Sequence, residues 1–167
     1  MRPHVAVVGA GRATAEQERL AAEVGRELAQ AGALVVCGGL GGVMEAACRG
    51  AKDGGGPTLG ILPGLDRSQA NPFVDMAVPT GLGEARNALV VRAADALVAV
   101  GGEYGTLSEI ALALKTGKRV VALGSWEIDG VVAAASPAEA ARVALQAAEQ
   151  AEQNRDAPPG ALPTGRA

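Results

Sequence analysis

The placement of glycine constrains this chain more than any other feature. Three short apolar runs, His4–Val8, Ala33–Cys37 and Ala96–Val100, each end in a glycine-rich turn. These turns are Gly9-Ala10-Gly11, Gly38-Gly39-Leu40-Gly41-Gly42 and Gly101-Gly102-Glu103-Tyr104-Gly105. A helical pattern follows each one. Glycine makes up 24 of the 167 residues, about twice the usual roughly 7%. The apolar runs are continuous rather than alternating, as in strands covered on both faces. Strands alternating with helices predict a parallel, doubly wound α/β sheet of the Rossmann-like class with helices on both faces. In such a sheet ligands bind beyond the carboxyl ends of the strands, which is where these turns lie.

The rest of the chain fits that pattern. Thr14 and Gln17 form a capping box that opens the first helix, and Gly32 stops it. A second helix carries Val43, Met44, Ala47, Cys48 and Ala51 on one face. Further strands are predicted at Thr58–Leu62, Val74–Val78 and Arg119–Leu123, with Val131–Ala135 at an edge. Helices are predicted from about Gly83 to Ala94 and from Thr106 to Thr116. A last helix starts at Ser136-Pro137-Ala138-Glu139 and fades near Gln153. Residues 1–153 are expected to form one ligand-binding domain. Residues 154–167, with Pro158, Pro159, Gly160 and Pro163, read as a disordered tail.

Composition removes several chemistries. One histidine (His4) and two cysteines (Cys37, Cys48) cannot assemble a His/Cys zinc site, so no metal ligands are assigned. Both cysteines read as free, buried thiols in a reducing compartment. His4, at the start of the first strand, is a poor member for a Ser-His-Asp triad. Phe73, Tyr104 and Trp126 are the only aromatics and the net charge is −3, which disfavours a nucleic-acid partner. No apolar run reaches the roughly 18–20 residues of a membrane span, so the expectation is a cytoplasmic protein with no membrane partner. None of the three lysines, Lys52, Lys115 and Lys118, stands at a strand's carboxyl end, which argues against pyridoxal phosphate.

Three glycine turns on one sheet edge point to an anionic ligand, because each lets a helix N-terminus approach it closely. The dinucleotide fingerprint is incomplete: Arg12-Ala13-Thr14 lacks its third glycine, and the second strand ends without an acidic residue. An ordinary dehydrogenase is disfavoured. At helical spacing Arg86 falls with Leu82, Leu89, Val90 and Ala93 on a core face, with Glu84 and Val91 opposite. A buried guanidinium needs a partner, either a structural carboxylate or an anion in the pocket. Glu109 is the natural carboxylate. Thr106-Leu107-Ser108-Glu109 also fits a capping box, with Thr106 as N-cap and Glu109 at N3.

The run Gly101–Glu109 resembles the Gly-Gly-x-Gly-Thr-x-x-Glu motif of the LOG-like ("Lonely Guy") family, long mislabelled as lysine decarboxylases. The resemblance extends over roughly residues 4–125. It takes in Gly38-Gly39, Gly42-Val43-Met44, Gly60-Ile61-Leu62-Pro63-Gly64, Arg86 and Ala94-Asp95-Ala96. It implies a Rossmann-like fold, a homo-oligomer (dimer or tetramer), and hydrolysis of the N-glycosidic bond of nucleoside 5′-monophosphates such as cytokinin ribotides and AMP. By the same resemblance Arg86 and Glu109 are the catalytic pair, and Gly101, Gly102, Gly105 and Thr106 cradle the 5′-phosphate. The chain departs from those hydrolases: Asn87 replaces a lysine, Val100 a proline, and the loop at 38–42 is one residue shorter. In these respects it looks closer to the molybdenum-cofactor carrier proteins of the same family.

Two functions therefore stand open. One is a carrier-like binding protein for a phosphorylated small molecule, a nucleotide or molybdenum cofactor, with no further cofactor required. The alternative is a phosphoribohydrolase using Arg86 and Glu109. In either case the expected ligand-binding residues are Gly9, Gly11, Gly38, Gly39, Gly41, Gly42, Met44, Asn87, Gly101, Gly102, Gly105 and Thr106.

Overall fold

The computed structural model describes residues 2–156. Its centre is a seven-stranded, wholly parallel sheet in the order β4-β3-β2-β1-β5-β6-β7. The strands are β1 (His4–Gly9), β2 (Leu34–Cys37), β3 (Thr58–Leu62), β4 (Met76–Pro79), β5 (Ala96–Val100), β6 (Arg119–Leu123) and β7 (Val131–Ala133). The helices are α1 (Ala15–Gln30), α2 (Val43–Asp53), α3 (Asn87–Ala93), α4 (Tyr104–Lys115) and α5 (Pro137–Asp156). The doubly wound α/β class expected from the glycine pattern is the fold observed. Succession runs outward from β1 to β4 on one side and resumes at β5 on the other, so the switch point lies between β1 and β5.

The two faces of the sheet are packed differently. On one, α1, α2 and α5 cover Val5, Val7, Val35, Val98, Val100 and Val121 with small side chains such as Ala21, Ala47, Ala140 and Ala144. Small residues here permit close approach: a Cβ on Gly50 of α2 would lie 1.8 Å from the Ala22 carbonyl oxygen of α1. On the other face α3 and α4 cover Ala6, Val8, Val36, Leu97 and Val120 with Val90, Val91 and Ile110. That second cover is partial. Leu82 and Leu89 remain 52% and 39% exposed, and Leu107, Leu112 and Leu114 of α4 are half-buried with Ala111 exposed. The apolar run Leu107–Leu114 is thus not deeply buried within the protomer, because only one side of α4 meets the sheet.

Several boundaries differ from the sequence reading. The segment Gly83–Arg86 is one turn of 3₁₀-helix and α3 begins only at Asn87. Its tighter winding shifts the phase, so Val91 is buried while Leu82 and Leu89 face outward. Strand β4 starts at Met76 rather than Val74 and β7 ends at Ala133 rather than Ala135. The Thr14–Gln17 capping box is present in both directions. At α5, Glu139 Oε2 accepts from Ala135 N–H at 2.8 Å while Ser136 Oγ accepts from Glu139 N–H at 3.2 Å. Residues 154–156, placed in the expected tail, close α5; the rest of that tail, 157–167, lies outside the described residues.

Among the described residues no helix is long and apolar enough to cross a membrane. His4 is committed to packing the strand ends: its backbone N–H donates to Asp95 Oδ2 at 2.9 Å, at the edge of the sheet opposite the glycine turns. Cys37 and Cys48 are free and buried, with their sulfurs 3.4 Å apart.

Candidate functional site

Beyond the carboxyl ends of β1, β2 and β5 lies a cavity of about 830 Å³, within the range of roughly 300–1,000 Å³ usual for small-molecule sites. Of the residues expected at the site, Gly9, Gly11, Gly38, Met44, Arg86, Asn87, Gly105, Thr106 and Glu109 line it. Gly39, Gly41, Gly42, Gly101 and Gly102 lie off its wall. Gly39 faces Leu62 of β3, Gly42 faces the Ala10 carbonyl, Gly101 faces the Gln17 side chain and Gly102 faces Thr106. A Cβ on Gly41 would have only distant neighbours, the Gly11 carbonyl at 3.8 Å and Glu45 Oε2 at 3.9 Å.

Arg86 closes the 3₁₀ turn and is only 7% exposed. Its guanidinium lies against Gly38: a Cβ there would meet Nη1 at 2.6 Å and Nη2 at 2.7 Å. Glycine at 38 is what lets the charge reach this depth. Nη1 donates to Asn87 Oδ1 at 2.7 Å. Nε is buried with no hydrogen-bond partner, an orphan donor that costs about 1–3 kcal/mol unless something accepts from it. Burial pulls the Arg86 pKa below the ordinary arginine range, with Glu109 opposing.

Glu109 faces the same cavity from α4 and is 6% exposed. Burial pushes its carboxyl up to about 7, with the Arg86 charge acting against that rise. No ion pair at 4.0 Å or less joins the two among the described residues. Arg86 is held by Asn87 instead. Asn87 Nδ2 in turn donates to Ser108 Oγ at 3.3 Å, and Ser108 Oγ donates to the Gly105 carbonyl at 2.7 Å. This relay ties the arginine to the first turn of α4. A lysine at position 87 has no acceptor to offer Arg86.

The start of α4 corrects the sequence reading. Thr106 is not the N-cap and Glu109 is not N3. Glu103 is the N-cap, the helix begins at Tyr104, and Thr106 at N3 accepts from Glu103 N–H at 3.3 Å through Oγ1. The physical reason is an extra residue. Two residues, Glu103 and Tyr104, stand between Gly102 and Gly105 where the motif has one, and the helix starts nearly one turn earlier, at Tyr104 instead of Leu107. Glu109 thereby moves from a terminal position to an inward-facing one.

Sequence reasoning missed Glu84, Tyr104, Ser108 and Leu112, all on the cavity wall. Tyr104 and Ser108 lie inside the motif itself, so its non-glycine positions were the available signal. Glu84 and Glu103 are exposed at the mouth, where solvent and salt screen their charges. Behind the floor, the Cys48 thiol lowers the Cys37 pKa against the effect of burial, while the same contact together with burial pushes Cys48 up. Among the described residues no group of three His, Cys, Asp or Glu side chains converges as a metal site.

A model of the SLOG cluster4 family matches residues 2–154. The chain belongs to that family. An uncharacterised protein of Archaeoglobus fulgidus is 49% identical over 119 residues, 71% of this chain and 78% of the other. The cytokinin riboside 5′-monophosphate phosphoribohydrolase LOG of Oryza sativa is 36% identical over 104 residues, 60% of this chain but only 42% of the rice protein. Among solved structures, the molybdenum cofactor binding protein of Rippkaea orientalis superposes with a TM-score of 0.83 at 35% identity, covering 87% of this chain and 97% of that one. The Moco carrier protein of Chlamydomonas reinhardtii gives 0.82 at 36% identity, over 90% and 99%. The LOG-like resemblance, and the likeness to its carrier branch, are thus shown.

Proposed function

We propose that this protein is a carrier-like binding protein for a phosphorylated small molecule, a nucleotide or the molybdenum cofactor. The observation that carries this reading is the state of Arg86: on the cavity wall, buried, and held by Asn87 with no ion pair to Glu109. An anionic ligand beside it supplies the counter-charge that this buried guanidinium lacks. The backbone N–H groups of Tyr104 and Gly105, on the cavity wall at the start of α4, offer a second anion-binding element. The donors present fit the molybdenum cofactor as cargo, since it is a phosphorylated pterin with a metal oxyanion. They fit a nucleoside monophosphate equally. The solved molybdenum-cofactor proteins that the chain resembles along most of its length support the carrier reading.

The alternative, a phosphoribohydrolase, is favoured by one observation: Arg86 and Glu109 do share the cavity. Such chemistry needs an ionised carboxylate to stabilise a developing oxocarbenium ion. Burial pushes the Glu109 carboxyl up to about 7, so it holds its proton more readily than an ordinary glutamate. A protonated Glu109 is better suited to sit beside an anion without repelling it.

The deciding experiment is chromatographic. Purified protein incubated with AMP is expected to release no adenine while binding the nucleotide, and Arg86→Ala is expected to weaken that binding at least about tenfold. Adenine released by the parent and lost in Glu109→Gln overturns the carrier reading. We also propose a homo-oligomer, supported by the incompletely covered leucines of α3 and α4.

A further inference from the structure

The chain has three aromatic residues, and two of them are stacked on each other beside the cavity. Tyr104, first residue of α4, lines the cavity and is 83% exposed. Trp126, on the loop between β6 and β7, is 37% exposed. Their ring centroids are 6.3 Å apart at an interplanar angle of 28°. The two rings come from the segments that follow different strands, β5 and β6, and neither belongs to the two clusters that form the core. Large aromatic surface is costly to leave in water. A flat ring with a free face at the wall of a ligand cavity is what a planar heterocycle stacks on, whatever its edge substituents.

The cavity is therefore divided in chemistry. Its floor holds Arg86 and Glu109, buried and polar; its rim holds Tyr104 backed by Trp126. We propose that the Tyr104–Trp126 pair is the stacking platform for a planar nitrogen heterocycle. The ligand is then a heterocycle phosphate of the purine-nucleotide or pterin-phosphate class, not a simple sugar phosphate. This rests on the anion-binding reading above. It adds two specificity-determining residues that neither the glycine pattern nor the family motif singles out.

Trp126 is the sole tryptophan, so its emission reports the platform directly. The full-length protein is titrated with GMP and, separately, with ribose 5-phosphate, following both calorimetric heat and tryptophan fluorescence. GMP is expected to quench Trp126 and to bind at least about tenfold more tightly than ribose 5-phosphate, which leaves the emission unchanged. Tyr104→Ala is expected to lower GMP affinity about tenfold and to leave ribose 5-phosphate within about twofold, whereas Tyr104→Phe retains GMP binding. Tyr104 is so exposed that neither change threatens the fold. Ribose 5-phosphate bound as tightly as GMP, or Tyr104→Ala without effect on GMP while Arg86→Ala abolishes it, overturns the platform and leaves the anion site standing. Failure of the parent to bind either compound overturns both.

Discussion

The turns after β2 and β5 look alike in sequence and do different work. Both are rich in glycine, and both lead from a buried strand into a helix. The β2–α2 turn is closed upon the protein. Gly42 has φ +64° and ψ −130°, and a Cβ on it would sit 2.3 Å from the Ala10 carbonyl oxygen. That same carbonyl accepts from Val43 N–H at 3.1 Å. After β5, Gly101 and Gly102 are closed in the same way against Gln17 and Thr106, but Gly105, where the turn has run into α4, opens outward: a Cβ there would find only Asn87 Nδ2, at 3.8 Å. Gly42 lets chain meet chain, whereas Gly105 leaves room for something else. Counting glycines cannot separate the two uses; asking what each missing side chain would strike does.

The largest expected effect follows at Gly42. Alanine there must enter backbone space that is nearly glycine-only and also collide with a fixed carbonyl, so Gly42→Ala is expected to cost about 3 kcal/mol. The melting temperature should fall by on the order of 10 °C. A shift of only a degree or two would mean that the two turns are not different in kind.

Next in size is the carboxyl that the open turn presents. Glu109 has its pKa raised from 4.5 to about 7 by burial, so the native state holds a proton that the unfolded state releases. The sign follows: stability falls as pH rises from about 4.5 to about 7 and stays lower above that. Glu109→Gln removes the charge that burial penalises. It is expected to raise the melting temperature by on the order of 5 °C at about pH 8 and to leave it near the parent's at about pH 4. Equal shifts at both pH values would show that the carboxyl is not held up by its surroundings.

How far these features are legible in the sequence depends on the range of the interactions behind them. The strands are legible because a continuous apolar run bounded by glycine, such as Val5–Val8 or Ala96–Val100, is visible without knowing its neighbours in the sheet. The Thr14–Gln17 cap is legible because both partners lie within one turn. Periodicity marks Arg86 as a buried charge, but it misassigns the residues around it because the 3₁₀ turn alters the phase. The start of α4 is ambiguous because two pairs three apart, Glu103–Thr106 and Thr106–Glu109, both satisfy a capping pattern. The structure takes the first, with the extra residue before Gly105 and with Glu109 turned inward. The Tyr104–Trp126 stack joins residues brought together by adjacent parallel strands, which local sequence does not encode. Asn87 reads as a departure from a family pattern; that it replaces Glu109 as the partner of Arg86 is visible only in three dimensions.

The smallest expected effect is also the one that sharpens the contrast most, because its sign reverses. Gly105 stands in the first turn of α4 at a φ open to any residue, with no atom nearer than 3.8 Å to the Cβ it lacks. Alanine there exchanges a poor helix former for the best one, so Gly105→Ala is expected to stabilise the fold by about 0.5 kcal/mol. Its methyl group would nonetheless project at the cavity wall that Gly105 helps to form. AMP binding should therefore weaken several-fold while the melting temperature rises by a degree or two. A glycine kept where the fold would gain from alanine is one kept for what approaches it from outside. If Gly105→Ala raises stability and leaves AMP affinity unchanged, the open turn is not part of the binding surface, and Arg86 alone must account for the anion.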